Sequence, residues 1–186
     1  MPRTPLQFKL MKDERKLSIL ENALPLFAVH GKESVSIDMI CQRAKCSHGL
    51  AYHYFKNTEQ IYKELLSSET YKNLNATLNN IDLNGNAFSQ FIEKTKQLLS
   101  VINGPRENIC FLMFILNNKE KDSFCYNLIK LISKGQSEGE ITGGDPKDIL
   151  ETWCLFFKGI YQTILNEKHP VIKVPSIDNI IQIFEK

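Results

Sequence analysis

Apolar residues recur along this chain at intervals of three and four positions, the spacing of one face of an α-helix. We find no convincing run of strictly alternating apolar and polar residues, so the pattern predicts no sheet. An all-α fold is therefore expected. The predicted helices cover, in order, about 13–30, 37–44, 48–55, 58–80, 88–102, a stretch containing 109–116, a stretch containing 124–132, 146–166 and 176–186.

Several helix ends carry recognisable start and stop residues. Gly31 ends the first helix, and Ser36 and Ser47 cap the second and third. Asn57 or Thr58 caps the fourth, and Asp145 caps the helix at 146–166. Pro25 lies inside the first helix, where it removes a backbone hydrogen bond, so we expect a kink there or an earlier break.

The helix at 146–166 has two neighbouring apolar stripes. A single chain covers one such face, and the last predicted helix is too short to cover the second. We therefore expect a homodimer, with a fully buried core helix as the alternative. The predicted interface residues are Phe156, Ile160, Ile164, Ile180 and Phe184.

Composition indicates an ordinary globular protein. Of 186 residues 42% are hydrophobic and 24% charged, which excludes a disordered or collagen-like chain. The longest apolar run, Ile109 to Leu116, is far shorter than the roughly 20 residues of a membrane span. Met1 to Leu10 lacks the apolar core of a signal peptide, so we expect a cytoplasmic protein that does not bind membranes.

Charge is unevenly distributed. The first 60 residues carry nine Lys and Arg against six Asp and Glu, a net charge of +3, whereas the remaining 126 carry 14 against 15, a net charge of −1. The basic character therefore lies at the N-terminal end, where a nucleic acid would be attracted.

The five cysteines are odd in number and include no CxxC pair, so we expect reduced thiols in an intracellular protein. Cys41, Cys46, His48 and His53 are the right residue types for zinc. However, the two cysteines fall on the core side of their helices and the two histidines on the outer side. We predict no metal site and no cofactor.

Two short helices joined by a tight turn at Lys45-Cys46-Ser47 have the layout of a helix-turn-helix. No acidic residue occurs from Met39 to Thr58, as duplex DNA would require. On spacing alone, simple packing of a helical pair is an equal alternative. The residues that face outward on or beside the second helix are His48, Gly49, Tyr52, His53 and Lys56.

The run SIDMICQRAKCSHGLAYHYFKNTE, residues 36–59, together with the preceding Gly31 resembles the DNA-binding domain of the tetracycline-repressor (TetR) family of bacterial regulators. The resemblance covers about residues 13–65. It implies a dimer whose third helix enters the major groove and whose larger C-terminal domain binds a small molecule that weakens DNA binding. The corresponding domains are expected at 1–60, for DNA binding, and 61–186, for effector binding and dimerisation.

The resemblance also implies individual roles. His48, Gly49, Leu50 and Tyr52 match base-reading positions, and Ser36, Tyr54, Lys56 and Thr58 match positions that hold phosphates. The full set of predicted DNA-binding residues is Ser36, Arg43, Lys45, Ser47, His48, Gly49, Leu50, Tyr52, His53, Tyr54, Lys56 and Thr58.

Three residues depart from the family pattern. Lys45 replaces the usual turn glycine, so a left-handed lysine is expected at a cost of about 1 kcal/mol. Thr58 replaces a phosphate-binding lysine, and Pro25 interrupts a first helix that is normally unbroken. The first two bear on phosphate affinity, whereas Pro25 does not touch the recognition helix.

The aromatic residues of the second domain predict a core, part of which lines a cavity for a flat or apolar effector. The predicted lining residues are Phe91, Phe111, Phe114, Trp153, Phe157 and Tyr161. The sequence as a whole predicts a dimeric regulator, most simply a repressor of a palindromic operator, that catalyses no reaction. The alternatives are an effector-independent DNA-binding protein or activator of the same fold, or a helical ligand carrier or enzyme with a vestigial helix-turn-helix.

Overall fold

In the computed structural model, which describes residues 5–117, 123–166 and 174–185, the chain is a succession of α-helices. No strand occurs in these ranges, where Ile141 and Glu185 form an isolated bridge. The predicted all-α class is confirmed. The helices are α1 (Pro5–His30), α2 (Ile37–Ala44), α3 (His48–Tyr54), α4 (Thr58–Leu66), α5 (Glu69–Asn79), α6 (Ala87–Ser100), α7 (Arg106–Asn117), α8 (Ser123–Ser137), α9 (Pro146–Leu165) and α10 (Ile177–Ile181).

The chain divides into two compact units, Met1–Tyr71 and Lys72–Lys186. Helices α1 to α4 belong to the first unit and α6 to α10 to the second. The functional assignment of 1–60 and 61–186 stays a prediction. None of the helices in the described ranges has the length and apolar character needed to cross a membrane.

In the first unit, α1 packs against α2 and α4, and α2 packs against α3. Phe27 of α1 meets Tyr62 of α4 edge to face, with 5.2 Å between ring centroids. Gly31 ends α1 with a φ of 77°, a conformation that a side chain would disfavour, and its N–H donates to the carbonyl of Phe27. The remaining core side chains are Ile19, Ala23, Leu24, Ala28, Val35, Ile40, Cys41, Ala51, Phe55, Ile61 and Leu65.

The first helix is longer than predicted. It begins at Pro5 rather than near Asp13, and it runs through Pro25 without a break. A proline in the first turn suits a helix start because its missing N–H would be unpaired there anyway. Around Pro25, buried Leu24 and Phe27 hold the helix against its neighbours, which offsets the lost hydrogen bond.

The prediction of one long helix at 58–80 is wrong, because the helical structure is interrupted between Leu66 and Glu69. Ser67 Oγ donates to the carbonyl of Lys63, and Ser68 Oγ accepts from the N–H of Tyr71. Serine hydroxyls compete in this way with the helical hydrogen bonds and favour a new start. Two helices, α4 and α5, therefore replace the predicted one.

In the second unit, α8 packs against α6 and α9, and α7 packs against α9. Residues 109–116 of α7 are buried on all sides, as their lack of a polar face predicts. Helix α10 is shorter than the predicted 176–186. Beyond it the chain turns, so that the ring of Phe184 packs on Phe91 and its carbonyl accepts from the N–H of Thr142.

Candidate nucleic-acid interface

The turn between α2 and α3 is held by backbone hydrogen bonds around one left-handed residue. Lys45 has φ 50° and ψ 47°, the left-handed conformation that the resemblance implies for the position of the usual glycine. The N–H of Cys46 donates to the carbonyl of Cys41 at 3.0 Å, and that of Lys45 to the carbonyl of Gln42 at 3.4 Å. These two bonds are the pair that defines a Schellman motif, which ends α2 and directs the chain into α3.

Two serines cap the helices of this motif. Ser36 Oγ accepts from the N–H of Met39 and Ser47 Oγ from that of Leu50, both at 3.2 Å. Both serines are exposed. Since a hydroxyl that accepts can still donate its own proton, each cap can also bind a phosphate oxygen.

Helix α3 has an inner and an outer face. Ala51 and the following Phe55 are fully buried, so they fix the helix in the first unit. On the outer side, Tyr52 is 53% exposed and Leu50 is half-buried. His48, Gly49 and His53 are also exposed. The predicted base-reading residues therefore lie together on the open side of one helix.

Gly49 leaves part of this face without any side chain. A Cβ added there meets no other atom within 4 Å. The bare backbone of α3 is consequently open at this position, and a base edge or sugar can approach it closely.

His48 has a partner that the sequence did not reveal. Its Nε2 lies 3.3 Å from Asp38 Oδ1, a carboxylate of α2. Asp38 comes one residue before the acid-free stretch 39–58, and only the packing of α2 on α3 brings the two side chains together. Because His48 is 57% exposed, this contact orients the ring and leaves it accessible.

Cationic and hydroxyl groups surround the outer face. Arg43, Lys45 and Lys56 are exposed, and within the described ranges none of them forms a salt bridge. Tyr54 is half-buried and meets the His53 ring edge to face at 5.1 Å, and Thr58 is half-buried at the start of α4. The free cations can therefore bind phosphates.

The acidic groups of α4 are already neutralised. Glu59 contacts Lys32 at 2.7 Å and Lys63 at 3.4 Å, and Glu64 pairs with Lys16. The hydrogen bond from Lys32 lowers the pKa of Glu59 below its usual range, and the bond from Lys63 acts in the same direction. These carboxylates thus leave the positive charge near α3 largely undiminished.

The predicted pocket residues are all buried in the second unit. Trp153 meets Phe91 at 5.9 Å and Phe157 at 4.9 Å, and Phe157 meets Tyr161 at 5.9 Å. Phe111 and Phe114 pair edge to face at 5.9 Å. We call the four residues Phe91, Trp153, Phe157 and Tyr161 the aromatic cluster.

Polar atoms of the aromatic cluster have partners. Trp153 Nε1 donates to Thr95 Oγ1 at 3.1 Å, and the Tyr161 hydroxyl donates to the carbonyl of Leu98 at 2.8 Å. Burial raises the pKa of Tyr161 well above its usual value, so its hydroxyl stays protonated. The cluster is therefore apolar with fixed internal hydrogen bonds.

The predicted interface residues differ in their burial. Ile160, Ile180 and Phe184 are buried within their own unit, whereas Phe156 and Ile164 are half-buried. Leu155 of α9, which the sequence reasoning did not single out, is 57% exposed. The open side of α9 therefore carries Leu155 and part of Phe156.

The four residues considered and rejected as zinc ligands lie in different surroundings. Cys41 is buried beside Cys46, while His48 is turned towards Asp38. In the part of the chain that the structure describes, no group of three or more His, Cys, Asp or Glu side chains is placed to hold a metal ion.

A family model and several solved structures are similar to this chain. Residues 19–65 match the family model described as bacterial regulatory proteins, tetR family. Apo AibR is 15% identical, with 92% of this chain and 98% of that chain covered and a TM-score of 0.58. AibR in complex with isovaleryl coenzyme A and operator DNA is 16% identical, with 90% and 94% covered and a TM-score of 0.52.

A bacterial regulatory protein of the tetR family from Rhodococcus RHA1 is 13% identical, with 90% and 91% covered and a TM-score of 0.55. No curated protein matches the chain by sequence. At these identities the solved structures show a shared fold, and the family model identifies the N-terminal domain. Residues 19–65 thus form a domain that matches the tetR family of bacterial regulatory proteins.

Proposed function

We propose that this protein is a transcription regulator that binds a palindromic operator as a homodimer in the cytoplasm and catalyses no reaction. The observation that carries this proposal is the outer face of α3. It presents an oriented imidazole at His48, an exposed phenol at Tyr52 and bare backbone at Gly49. Cations that form no salt bridge within the described ranges surround this face. Glu59 and Glu64 of α4 are each paired with a lysine.

In this proposal α3 enters the major groove. His48 and Tyr52 hydrogen-bond to base edges, and Leu50 contacts a thymine methyl group. Ser36, Ser47, Arg43, Lys45 and Lys56 hold phosphates and fix the register of α3 on the duplex. Two copies of the chain then read the two half-sites in successive major grooves.

We also propose that a small apolar or aromatic molecule releases the protein from DNA. The aromatic cluster supports this proposal because it is an apolar region with only a few polar groups. The related AibR was solved with both isovaleryl coenzyme A and operator DNA. A ligand would act by binding the conformation that cannot span two half-sites more tightly than the one that can.

Fluorescence anisotropy tests DNA binding directly. The protein is titrated with a duplex from upstream of its own gene, with a duplex selected from random sequence, and with scrambled DNA, across a salt series. We expect preferred duplexes to bind at least about 1,000-fold more tightly than scrambled DNA, with affinity falling steeply as salt rises. Equal, weak binding to all duplexes, selection included, would favour the carrier alternative.

Replacing Lys45 by glycine is expected to stabilise the protein and weaken DNA binding. Glycine adopts the left-handed backbone of this position without steric cost, so the free energy of unfolding should rise by about 0.5–1 kcal/mol. Loss of the charge should lower the salt dependence of DNA binding by roughly one counterion. Urea unfolding and the salt series measure the two effects.

Lys56→Ala is the matched control for Lys45→Gly, because it removes an exposed cation next to the same helix without a left-handed residue. It should weaken DNA binding and leave stability unchanged. An unfolding free energy that does not rise in Lys45→Gly would contradict a steric cost at position 45.

Leu155→Glu is expected to convert the protein from dimers to monomers. Leu155 is 57% exposed on the open side of α9, so a carboxylate there costs an isolated chain little, but it would be buried in a dimer. Sedimentation velocity measures the mass. Leu17→Glu makes the same change at an exposed leucine of α1, so it is the control and should remain dimeric. A dimer that persists in Leu155→Glu would exclude this side of α9 as the interface.

A further inference from the structure

Two cysteines face each other at the turn of the helix-turn-helix. Cys41 is the residue in α2 whose carbonyl accepts the outer hydrogen bond of the Schellman motif, and Cys46 donates it at 3.0 Å. In this motif the side chains at these two positions are frequently in contact. The backbone itself therefore places the two thiols side by side.

The two sulfurs interact and differ in access. The Cys46 side chain lies near enough to the Cys41 thiol to contribute to the raised pKa of that thiol. Cys41 is buried, whereas Cys46 is partly exposed. Burial, followed by the contact with Cys46, raises the pKa of the Cys41 thiol to about 11. Cys46 is thus the sulfur that a soluble oxidant reaches, and Cys41 is a protonated thiol held beside it.

The other cysteines differ from this pair. Cys110, Cys125 and Cys154 have exposures of 1% or less in the apolar interior of the second unit. A soluble oxidant reaches such positions poorly. The turn is accordingly the place where a cysteine is both accessible and adjacent to a second thiol.

We propose that Cys41 and Cys46 form an oxidation site, at which a hydroperoxide converts the two thiols into a disulfide across the turn between α2 and α3. Such a bond requires Cα atoms about 4.4–6.8 Å apart. The backbone N of Cys46 lies 3.0 Å from the carbonyl O of Cys41, so the two residues are close neighbours across the turn.

The reaction balances in two steps. The Cys46 sulfur attacks one peroxide oxygen, the O–O bond breaks, and the leaving hydroxide takes the proton of the Cys46 thiol to become water. Cys46 is then a sulfenic acid. The Cys41 sulfur attacks the sulfur of Cys46, the S–S bond forms, the S–O bond breaks, and the departing hydroxide takes the Cys41 proton. Two thiols and one hydrogen peroxide give one disulfide and two water molecules.

The disulfide alters the DNA-reading surface, and this consequence rests on the proposed function. Bonded sulfurs are about 2 Å apart, much closer than two thiols in contact. Cys41 is anchored in the core, so Cys46 moves towards it and displaces its neighbours Lys45 and Ser47. Ser47 caps α3, and the start of the recognition helix moves with it.

The test for the site uses mass spectrometry of the full chain treated with hydrogen peroxide, with free thiols then blocked. Trypsin cleaves after Arg43 and Lys45, which lie between the two cysteines, so a disulfide appears as a linked pair of peptides that reductant separates. The linked pair is expected in the unaltered protein and in a variant with Cys110, Cys125 and Cys154 replaced by alanine. Blocked, unlinked Cys41 and Cys46 after peroxide treatment would overturn the proposal.

Cys46→Ser and Cys41→Ala each remove one partner. In Cys41→Ala, Cys46 should accumulate as sulfenic acid, which a dimedone probe traps, and no linked pair should form. Cys46→Ser changes only the partly exposed residue. It therefore still tests for the linked pair, which should be absent, if Cys41→Ala does not fold. Trapping at Cys110, Cys125 or Cys154 instead of Cys46 would contradict the assigned order of attack.

A DNA-binding measurement on oxidised and reduced protein separates this proposal from the proposed function. Oxidised protein should bind a duplex selected with reduced protein about tenfold more weakly, and reductant should restore binding. Cys46→Ser should bind equally with and without peroxide. A linked peptide pair with unchanged affinity would overturn the effect on DNA while keeping the oxidation site. Failure of the reduced protein to select any duplex would instead reject the proposed function.

Discussion

The double variant His48→Ala, Tyr52→Ala is expected to lose at least about 100-fold in affinity for the preferred duplex, while its weak affinity for scrambled DNA is retained. A well-placed hydrogen-bonding pair on a base edge is worth about 1–3 kcal/mol, so two such contacts account for this loss. Both side chains are more than half exposed, and the buried residues that hold α3 are untouched. The variant should therefore unfold at the same urea concentration as the unaltered protein.

Two further proteins complete the comparison. Leu17→Ala with His30→Ala removes an exposed apolar residue and an exposed histidine from α1 and should bind DNA normally. Gly49→Ala adds one methyl group where the protein itself leaves space, so its fold is unchanged and any lost affinity arises from the duplex. Anisotropy titrations that find an unchanged ratio of specific to scrambled affinity in the double variant would reject α3 as the reading helix.

Trp153→Ala is expected to lower the free energy of unfolding by about 3–5 kcal/mol, a large share of the total stability of an ordinary domain. Trp153 is fully buried between Phe91 and Phe157, and its replacement leaves a cavity in the aromatic cluster. The change also removes the donor to Thr95 Oγ1. Urea unfolding followed by circular dichroism measures the loss.

Gln162→Ala is the control on the same helix, because this side chain is exposed and its removal should change stability by less than about 0.5 kcal/mol. Trp153→Phe should fall between the two, since it keeps most of the ring volume and loses the hydrogen bond. A loss below about 1 kcal/mol for Trp153→Ala would mean that the surrounding helices collapse into the space, and that the cluster is not tightly packed.

Features set by local chemistry could be read from the sequence. The caps at Ser36, Asn57 and Asp145 form as predicted, because each side chain needs only the N–H groups two or three residues ahead. The left-handed Lys45 is expected from the family resemblance, because this position usually holds the turn glycine. The position of α3 and its exposed face follow from these local constraints.

Features that depend on tertiary packing could not be read in this way. Asp38 and His48 meet only because α2 packs on α3. On α9, two adjacent stripes are both apolar, so periodicity alone could not decide that Ile160 faces inward and Leu155 outward. Similarly, Phe184 is buried because the chain turns beyond α10, and helical periodicity does not predict such a turn.

The single tryptophan of the chain also gives the second unit an optical reporter. Trp153 is fully buried among aromatic rings, and its indole N–H is held by Thr95. Its emission therefore comes from a dry environment and lies at short wavelength. A molecule that enters the aromatic cluster must change the intensity or the wavelength of this emission. One untagged sample can thus report occupancy of the cluster.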